Sequence, residues 1–286
     1  MTCEKIQAAF ILTIAVIIAA SAAYNAQDAD IAGSVPRLLT AVSERNAQCF
    51  ESTLGDAVAD AARIYLAADI AIINGGDLVR NMPPGDISWG ELRRIFAEDR
   101  VLAVSYVTPK ELRAILEVGV SHIRLNEMER VDIEVSKFEG FPQISGFTFV
   151  YDATAPVGQR IREFRIDGES IDLDDESYTI TLAATAFMLE GGYGMPNVGV
   201  DVISDFTLAS VMAAYMNDGM DDYLDIKNRF RVMGTSEGLT SVVPAGIVIA
   251  AMLIYLAGIN WKDKRFFDRN TNDIDDKIKR QFFTWR

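Results

Sequence analysis

Histidine occurs once in the 286 residues, as His122, and cysteine twice, as Cys3 and Cys49. A catalytic pair of metal ions about 3.5–4 Å apart needs several imidazoles and carboxylates. A zinc cage or a His-based triad likewise needs more ring nitrogens or thiols than this chain owns. No catalytic residue, metal ligand or cofactor is therefore expected in this chain. Two cysteines cannot make a disulfide framework, and no Asn-x-Ser/Thr sequon occurs to mark a secreted surface. Positive charge is scarce as well: 27 Lys+Arg stand against 41 Asp+Glu, a net −14. A nucleic-acid partner is excluded, because nothing here would release counterions from a phosphate backbone. With 50% hydrophobic and 24% charged residues, disorder and low complexity are excluded too.

Two uncharged stretches are present. Ala8 to Ala23 reads AAFILTIAVIIAASAA, which as a helix rises about 24 Å, short of a hydrocarbon core of roughly 30 Å. Its small-residue end is that of a signal peptide, and residues 1–27 are read as a signal peptide or a retained N-terminal anchor. If the segment is cleaved, Cys3 leaves with it and Cys49 is a lone thiol. Val242 to Ile259 reads VVPAGIVIAAMLIYLAGI and rises about 27 Å, enough to cross a bilayer. Residues 241–261 are thus expected to form one transmembrane helix. Lys262, Lys264, Arg265 and Arg269 follow, so the tail over 262–286 is expected on the cytoplasmic side and the domain outside. That tail has eight basic and five acidic residues, a net +3, which leaves −17 for the remainder of a chain at −14.

Residues 28–238, with a core over 51–220, read as one α/β domain without internal repeats. Leu54, Ala57, Val58, Ala61, Ile64 and Tyr65 fall at helical spacing, opened by a Thr53–Asp56 capping pattern. Ala68–Ile73 is a short buried strand that ends in the Asn74-Gly75-Gly76 turn. A short helix is expected over 89–96 and a strand over 101–107. Thr108-Pro109-Lys110-Glu111 then supplies an N-cap, a proline at N1 and an acid at N3 for a helix to about Ile123. His122 is placed at that helix's C-terminal end. Residues 124–140 are patternless. Strands are expected at 146–151, 160–166 and 178–183, with Asp167-Gly168 as a hairpin turn and a closing helix over 205–217. The fold class is mixed α/β: a mixed sheet covered by helices.

ESTLGDAVADAA (51–62), ADIAIINGG (68–76), GDIS (85–88), KELRAILE (110–117), FPQISGFTFVYD (141–152), YTI (178–180) and FMLEGG (187–192) occur in one order. Together they resemble the C-terminal domain of the 5′-nucleotidase family. The resemblance implies an α/β domain that recognises the nucleotide, beside an N-terminal metallophosphoesterase domain that this sequence does not contain. It implies two aromatic rings that sandwich the base, with polar groups for base, ribose and phosphate.

On that resemblance the ligand contacts would be Phe96, Asp99, Phe187, Arg80, Asn74 and Tyr193. Phe187 matches the second stacking ring, with a core phenylalanine as its alternative. Phe96 is the candidate first ring, and Asp99 a base contact or part of a solvated loop with Glu98 and Arg100. Arg80 is a phosphate ligand or a surface arginine. Asp56 stands in place of an asparagine, Asp77 of a third glycine, Tyr193 of an aspartate and Met195 of a tyrosine. Added carboxylates repel a phosphate dianion, so a neutral nucleoside suits the pocket better. The expected function is a membrane-tethered recognition domain without its own metal centre. The alternatives are an interaction domain with a degenerate pocket, or the binding half of a phosphohydrolase completed by another chain. The partners implied are a nucleoside or nucleotide, the membrane, and a metallophosphoesterase chain or a tail-binding protein.

Overall fold

The computed structural model describes residues 28–43, 45–220 and 226–235. The apolar stretches at 8–23 and 242–259 lie outside them, and among the described residues no helix is long and apolar enough to cross a membrane.

Strand β1 (Ile31–Val35) is followed by helix α1 (Thr53–Tyr65), β2 (Ile70–Asn74), β3 (Gly85–Ser88), α2 (Trp89–Arg93) and β4 (Val101–Val107). Then come α3 (Pro109–Gly119), the single turn α4 (Ile133–Ser136), β5 (Pro142–Ser145), β6 (Phe147–Asp152), β7 (Ile161–Ile166) and β8 (Glu169–Ser170). The described chain ends with β9 (Ile180–Thr185), the turn α5 (Ala186–Leu189), β10 (Val202–Thr207), α6 (Leu208–Asn217) and β11 (Phe230–Met233).

A five-stranded sheet in the order β10-β4-β9-β2-β5 is the centre of the domain. β2 and β9 run parallel, and the other pairs are antiparallel. Every β2 residue is buried, and the pleat sends alternate side chains to opposite faces. Ala71 and Ile73 enter one core with α1 and α6, while Ile70 and Ile72 enter a second core on the other face. A strand covered on both sides has no polar face to show, so Ile70–Ile73 is an unbroken apolar run before Asn74.

The single mixed sheet expected from sequence is corrected to three sheets. β6, β7, β8 and β11 form a separate four-stranded layer that packs on the second core, and β1 pairs β3 in a two-stranded ribbon. The packing layer is aromatic: Phe147, Phe149, Tyr151 and Phe230 follow one another with ring centroids 5.3–6.5 Å apart. β11 runs parallel to β6, with Phe230 opposite Phe149 and Met233 opposite Asp152. Neither β1, β10 nor β11 is expected from sequence.

Local signals read correctly where their partners are close by. The Thr108–Glu111 capping box forms in both directions, with Pro109 inside the first turn. Asp167 and Gly168 both take positive φ in the β7–β8 turn. α1 departs from expectation at its start: Ser52, not Thr53, is the N-cap and accepts from the Gly55 N–H. α3 ends at Gly119, so His122 lies beyond the helix, exposed and stacked on Phe138 with centroids 4.3 Å apart.

Candidate functional site

The turn after β2 brings the most unusual side chains together. Asn74 ends the strand, and Gly75–Asp77 makes one tight 3-10 turn. The Gly75 and Gly76 N–H groups donate to the carbonyls of Phe141 and Glu139, at 2.7 and 2.8 Å. A Cβ on Gly75 would run into the Ala47 carbonyl, so this close approach requires glycine. The turn buries the Asp77 side chain completely.

Asp77 Oδ1 receives two donors: Arg100 Nε at 3.1 Å and the Tyr193 hydroxyl at 3.2 Å. Arg100, just before β4, lays its guanidinium over Phe187, with Cζ 3.6 Å from the ring centroid. Tyr193 meets Phe187 edge-on, with centroids 5.0 Å apart and ring planes at 82°. Phe187 lies on α5, whose first turn is capped by Thr185. The Gly191-Gly192-Tyr193-Gly194 loop folds back on it, and a Cβ on Gly192 would strike the Phe187 ring. Tyr193 takes φ +56°, which aims its hydroxyl at Asp77.

Burial pushes the Asp77 carboxyl up to about 6, although the Arg100 charge and the Tyr193 and Arg100 hydrogen bonds pull it down. At neutral pH it is mostly ionised and paired with Arg100. Burial, with Asp77 alongside, raises the Tyr193 phenol to about 12, so it stays a donor. Asp77 Oδ2 and both polar side-chain atoms of Asn74 have no hydrogen-bond partner among the described residues. Buried polar groups in that state are costly.

Of the six residues read from sequence, Phe187, Tyr193 and Asn74 belong to this region, the first two in direct contact. Phe96 does not offer a stacking face: it is 3% exposed, packed in the core with α1 and α6. Its backbone pairs with Leu78. Asp99 Oδ1 accepts from the Ala209 N–H at 2.8 Å in the first turn of α6, which makes it a helix-end group. Arg80 is exposed on the chain beyond Asp77. Arg100, taken from sequence as part of a solvated loop, is the cation that reaches Phe187. The signal that could have found it is Asp77, because a carboxylate in a buried turn demands a cation.

A second group of buried charges holds Asp56. Arg229, just before β11, inserts between α1 and β5, with Nη2 2.6 Å from Asp60 Oδ2 and Nη1 3.5 Å from Asp56 Oδ1. Its backbone N–H donates to Glu51 Oε1 at 2.9 Å, and its Nη1 also donates to the Ile144 carbonyl. Asp60 Oδ1 accepts from the Ser145 hydroxyl, and Lys227 N–H approaches Asp56 Oδ2 at 3.4 Å. The Thr53–Asp56 capping pair read from sequence does not form, because Asp56 is committed to this cluster. Among the described residues, no three His, Cys, Asp or Glu side chains are grouped so as to hold a metal ion.

The family model described as 5′-nucleotidase, C-terminal domain, matches residues 26–199. The chain is 28% identical over 152 residues to the trifunctional nucleotide phosphoesterase protein YfkN of Bacillus subtilis, a match covering 50% of this chain and 10% of that protein. It is 29% identical over 132 residues to the endonuclease YhcR of the same organism, covering 46% and 9%. The match thus spans about a tenth of each of these curated relatives. The 5′-nucleotidase precursor of Thermus thermophilus superposes with a TM-score of 0.60 at 21% identity, over 78% of this chain and 43% of that one. Haemophilus influenzae NAD nucleotidase gives 0.60 at 14% identity, over 78% and 41%.

Proposed function

The chain belongs to the 5′-nucleotidase family as its C-terminal domain, and from that premise we propose that it is a recognition module without a metal centre of its own. It takes a flat, nucleoside-type ligand on Phe187 in preference to a phosphorylated one. The observation that carries this reading is Arg100 lying 3.6 Å over Phe187 and tied to buried Asp77. One face of Phe187 is a stacking surface, and a guanidinium plane is another. A base enters either by displacing Arg100 or by separating the two planes. Weak phosphate binding follows from the exposure of Arg80 and from the buried Asp77 carboxylate, which would repel a dianion. Calorimetric titration of the wild-type chain is expected to show weak adenosine binding and weaker AMP binding. Arg100→Ala, which removes the competitor for Phe187, should tighten adenosine by about tenfold, or ~1.4 kcal/mol. AMP binding more tightly than adenosine would refute the preference.

A second reading is an interaction domain with a closed pocket, favoured by the burial of Phe96 in the core and the use of Asp99 as a helix-end group. A protein that grips the basic tail is the partner in that case. Failure of adenosine to bind either wild type or Arg100→Ala would decide for it.

We also propose that 241–261 tethers the domain to a membrane with 262–286 on the cytoplasmic side, from the apolar run and the cations after it. The expected result is retention in the membrane fraction through an alkaline carbonate wash. Release of the full chain by that wash would end the proposal.

A further inference from the structure

The four-stranded sheet turns Phe149, Tyr151, Phe164 and Phe230 toward the second core, so the pleat sends Thr148, Val150, Arg165 and Arg231 to its outer face. β11 is an edge of this sheet, and consecutive pairings from Phe230 to Met233 hold it on β6 without a bulge. The Arg229 and Met233 carbonyls accept from the Phe149 and Ala153 N–H groups, both at 3.1 Å, so every second residue of β11 faces β6. The backbone groups of Phe230 and Val232 therefore face the other way, and among the described residues no strand pairs with them. Natural sheets cover or blunt such an edge. Its charge is also opposite to that of its surroundings: residues 226–235 hold three cations and no carboxylate, in a chain at −14. Arg229 turns inward to Asp60, and Arg165 is held by Glu163 and the Gly168 carbonyl. Arg231 is exposed, and its guanidinium has no partner among the described residues. It borders a groove of about 350 Å³ together with Thr148, Val150 and Arg165.

We infer that β11 is a docking edge for an extended segment of a partner protein, one in which carboxylate and β-branched side chains alternate. The segment joins the sheet as an added strand and pairs with the open backbone groups of Phe230 and Val232. Its side chains then fall alternately on the two faces. On the outer face a carboxylate meets Arg231 at the groove. On the inner face an apolar side chain covers the half-buried Phe230 and Val232. Charge decides the occupant. A second copy pairing two-fold through Phe230 and Val232 would set Arg231 opposite its own counterpart, and like charges directly opposite are unfavourable. An acidic strand meets a cation there instead. This surface is separate from the Phe187 site, and the inference goes beyond the reading of that site without depending on it.

The test is the fluorescence anisotropy of fluorescein-Gly-Glu-Val-Glu-Val-Glu-Val-amide, titrated at low ionic strength with the full chain purified in detergent. Saturable binding with a millimolar or tighter Kd is expected, against the repulsion of the chain's net negative charge. Arg231→Glu should weaken that binding about tenfold. Its melting temperature should stay that of wild type, since the exposed Arg231 guanidinium has no partner to lose. If Arg231→Glu does not fold, Arg231→Gln is used, with a smaller loss expected. Methylating all the valine amides, or all the glutamate amides, keeps the peptide's charge and removes its backbone donors on one side. Whichever set faces β11 should abolish binding. An absence of binding to wild type overturns the docking edge. Binding that Arg231→Glu leaves unchanged, or that both methylated peptides retain, overturns it as well. Self-association of wild type that Arg231→Glu alters, with no peptide bound, assigns the edge to a second copy and overturns the acidic partner. Each of these failures leaves the Phe187 reading standing.

Discussion

Replacing Arg229 by methionine is expected to destabilise the domain by ~3–5 kcal/mol, the cost of removing one partner from a buried ion pair. For a domain of this size that is a fall in Tm of roughly 6–20 °C. The stem of the side chain survives in methionine, so the loss is that of the guanidinium: its charge and its hydrogen bonds to the Ile144 and Asp56 carbonyls. Three carboxylates depend on that charge or on its neighbouring backbone: Asp60 at 2.6 Å, Asp56 at 3.5 Å and Glu51 through the Arg229 N–H. Burial pushes the Asp56 carboxyl up to about 8 from its ordinary 3.8, with Glu51 and Asp60 adding to the rise and Arg229 opposing it. The folded state therefore holds this proton more tightly than the unfolded chain. Its stabilising contribution is complete below about pH 3.8 and is lost as pH rises through about 8. Asp56→Asn, which mimics the protonated form, should be more stable than wild type at pH 9 and lose that advantage near pH 5. Added to Arg229→Met, it should recover a large part of the loss. Urea midpoints followed across pH check all of this. Equal midpoints for wild type and Arg229→Met would mean that the cluster is solvated and the ion pairs are immaterial.

Gln143→Leu should be almost as damaging, on the order of 3–5 kcal/mol. The Gln143 side chain is fully buried and makes four hydrogen bonds. Its carbonyl accepts from the Ser52 N–H and hydroxyl, both at 3.0 Å. Its amide donates to the carbonyls of Ala47 and Phe50, at 2.9 and 2.8 Å. Leucine fills the space and strands those buried groups, including the residue that caps α1. The comparison is Ser52→Ala, which removes the cap and one of the two donors to the Gln143 carbonyl and should cost about 1–2 kcal/mol. A Gln143→Leu variant no worse than Ser52→Ala in chemical denaturation would show that water reaches these carbonyls.

The contrast between Gln143 and Thr108 explains how much the sequence discloses. Thr108, Pro109 and Glu111 lie within four positions and satisfy one another, so the start of α3 is legible without knowing the rest of the chain. β2 is legible for a different reason: burial on both faces leaves an apolar run from Ile70 to Ile73, closed by Asn74 at the turn. Asp56 is illegible, because its charge is answered by Arg229 at the far end of the described chain and not by Thr53. Phe96 fails in the same way, since an aromatic before a charged loop reads identically whether it faces a ligand or the core. At the site, Phe187 and the glycines after it are recognisable from local spacing. The pairing of Asp77 with Tyr193 joins residues 116 positions apart, and only the folded β2–β9 neighbourhood brings them together. β10 and β11 are edge strands with mixed exposure, so neither alternation nor an apolar run marks them.

The parallel seating of β11 on β6 has a mechanical consequence. Tension applied along the strand axis from beyond Met233 would load the whole row of Phe230–Met233 pairings sideways, so they would have to yield together and not one after another. Arg229 lies at the rear of that row, wedged behind Asp56 and Asp60, and acts as a toggle against withdrawal. A domain hung by this end would resist traction better than one hung from a hairpin edge that can be peeled open.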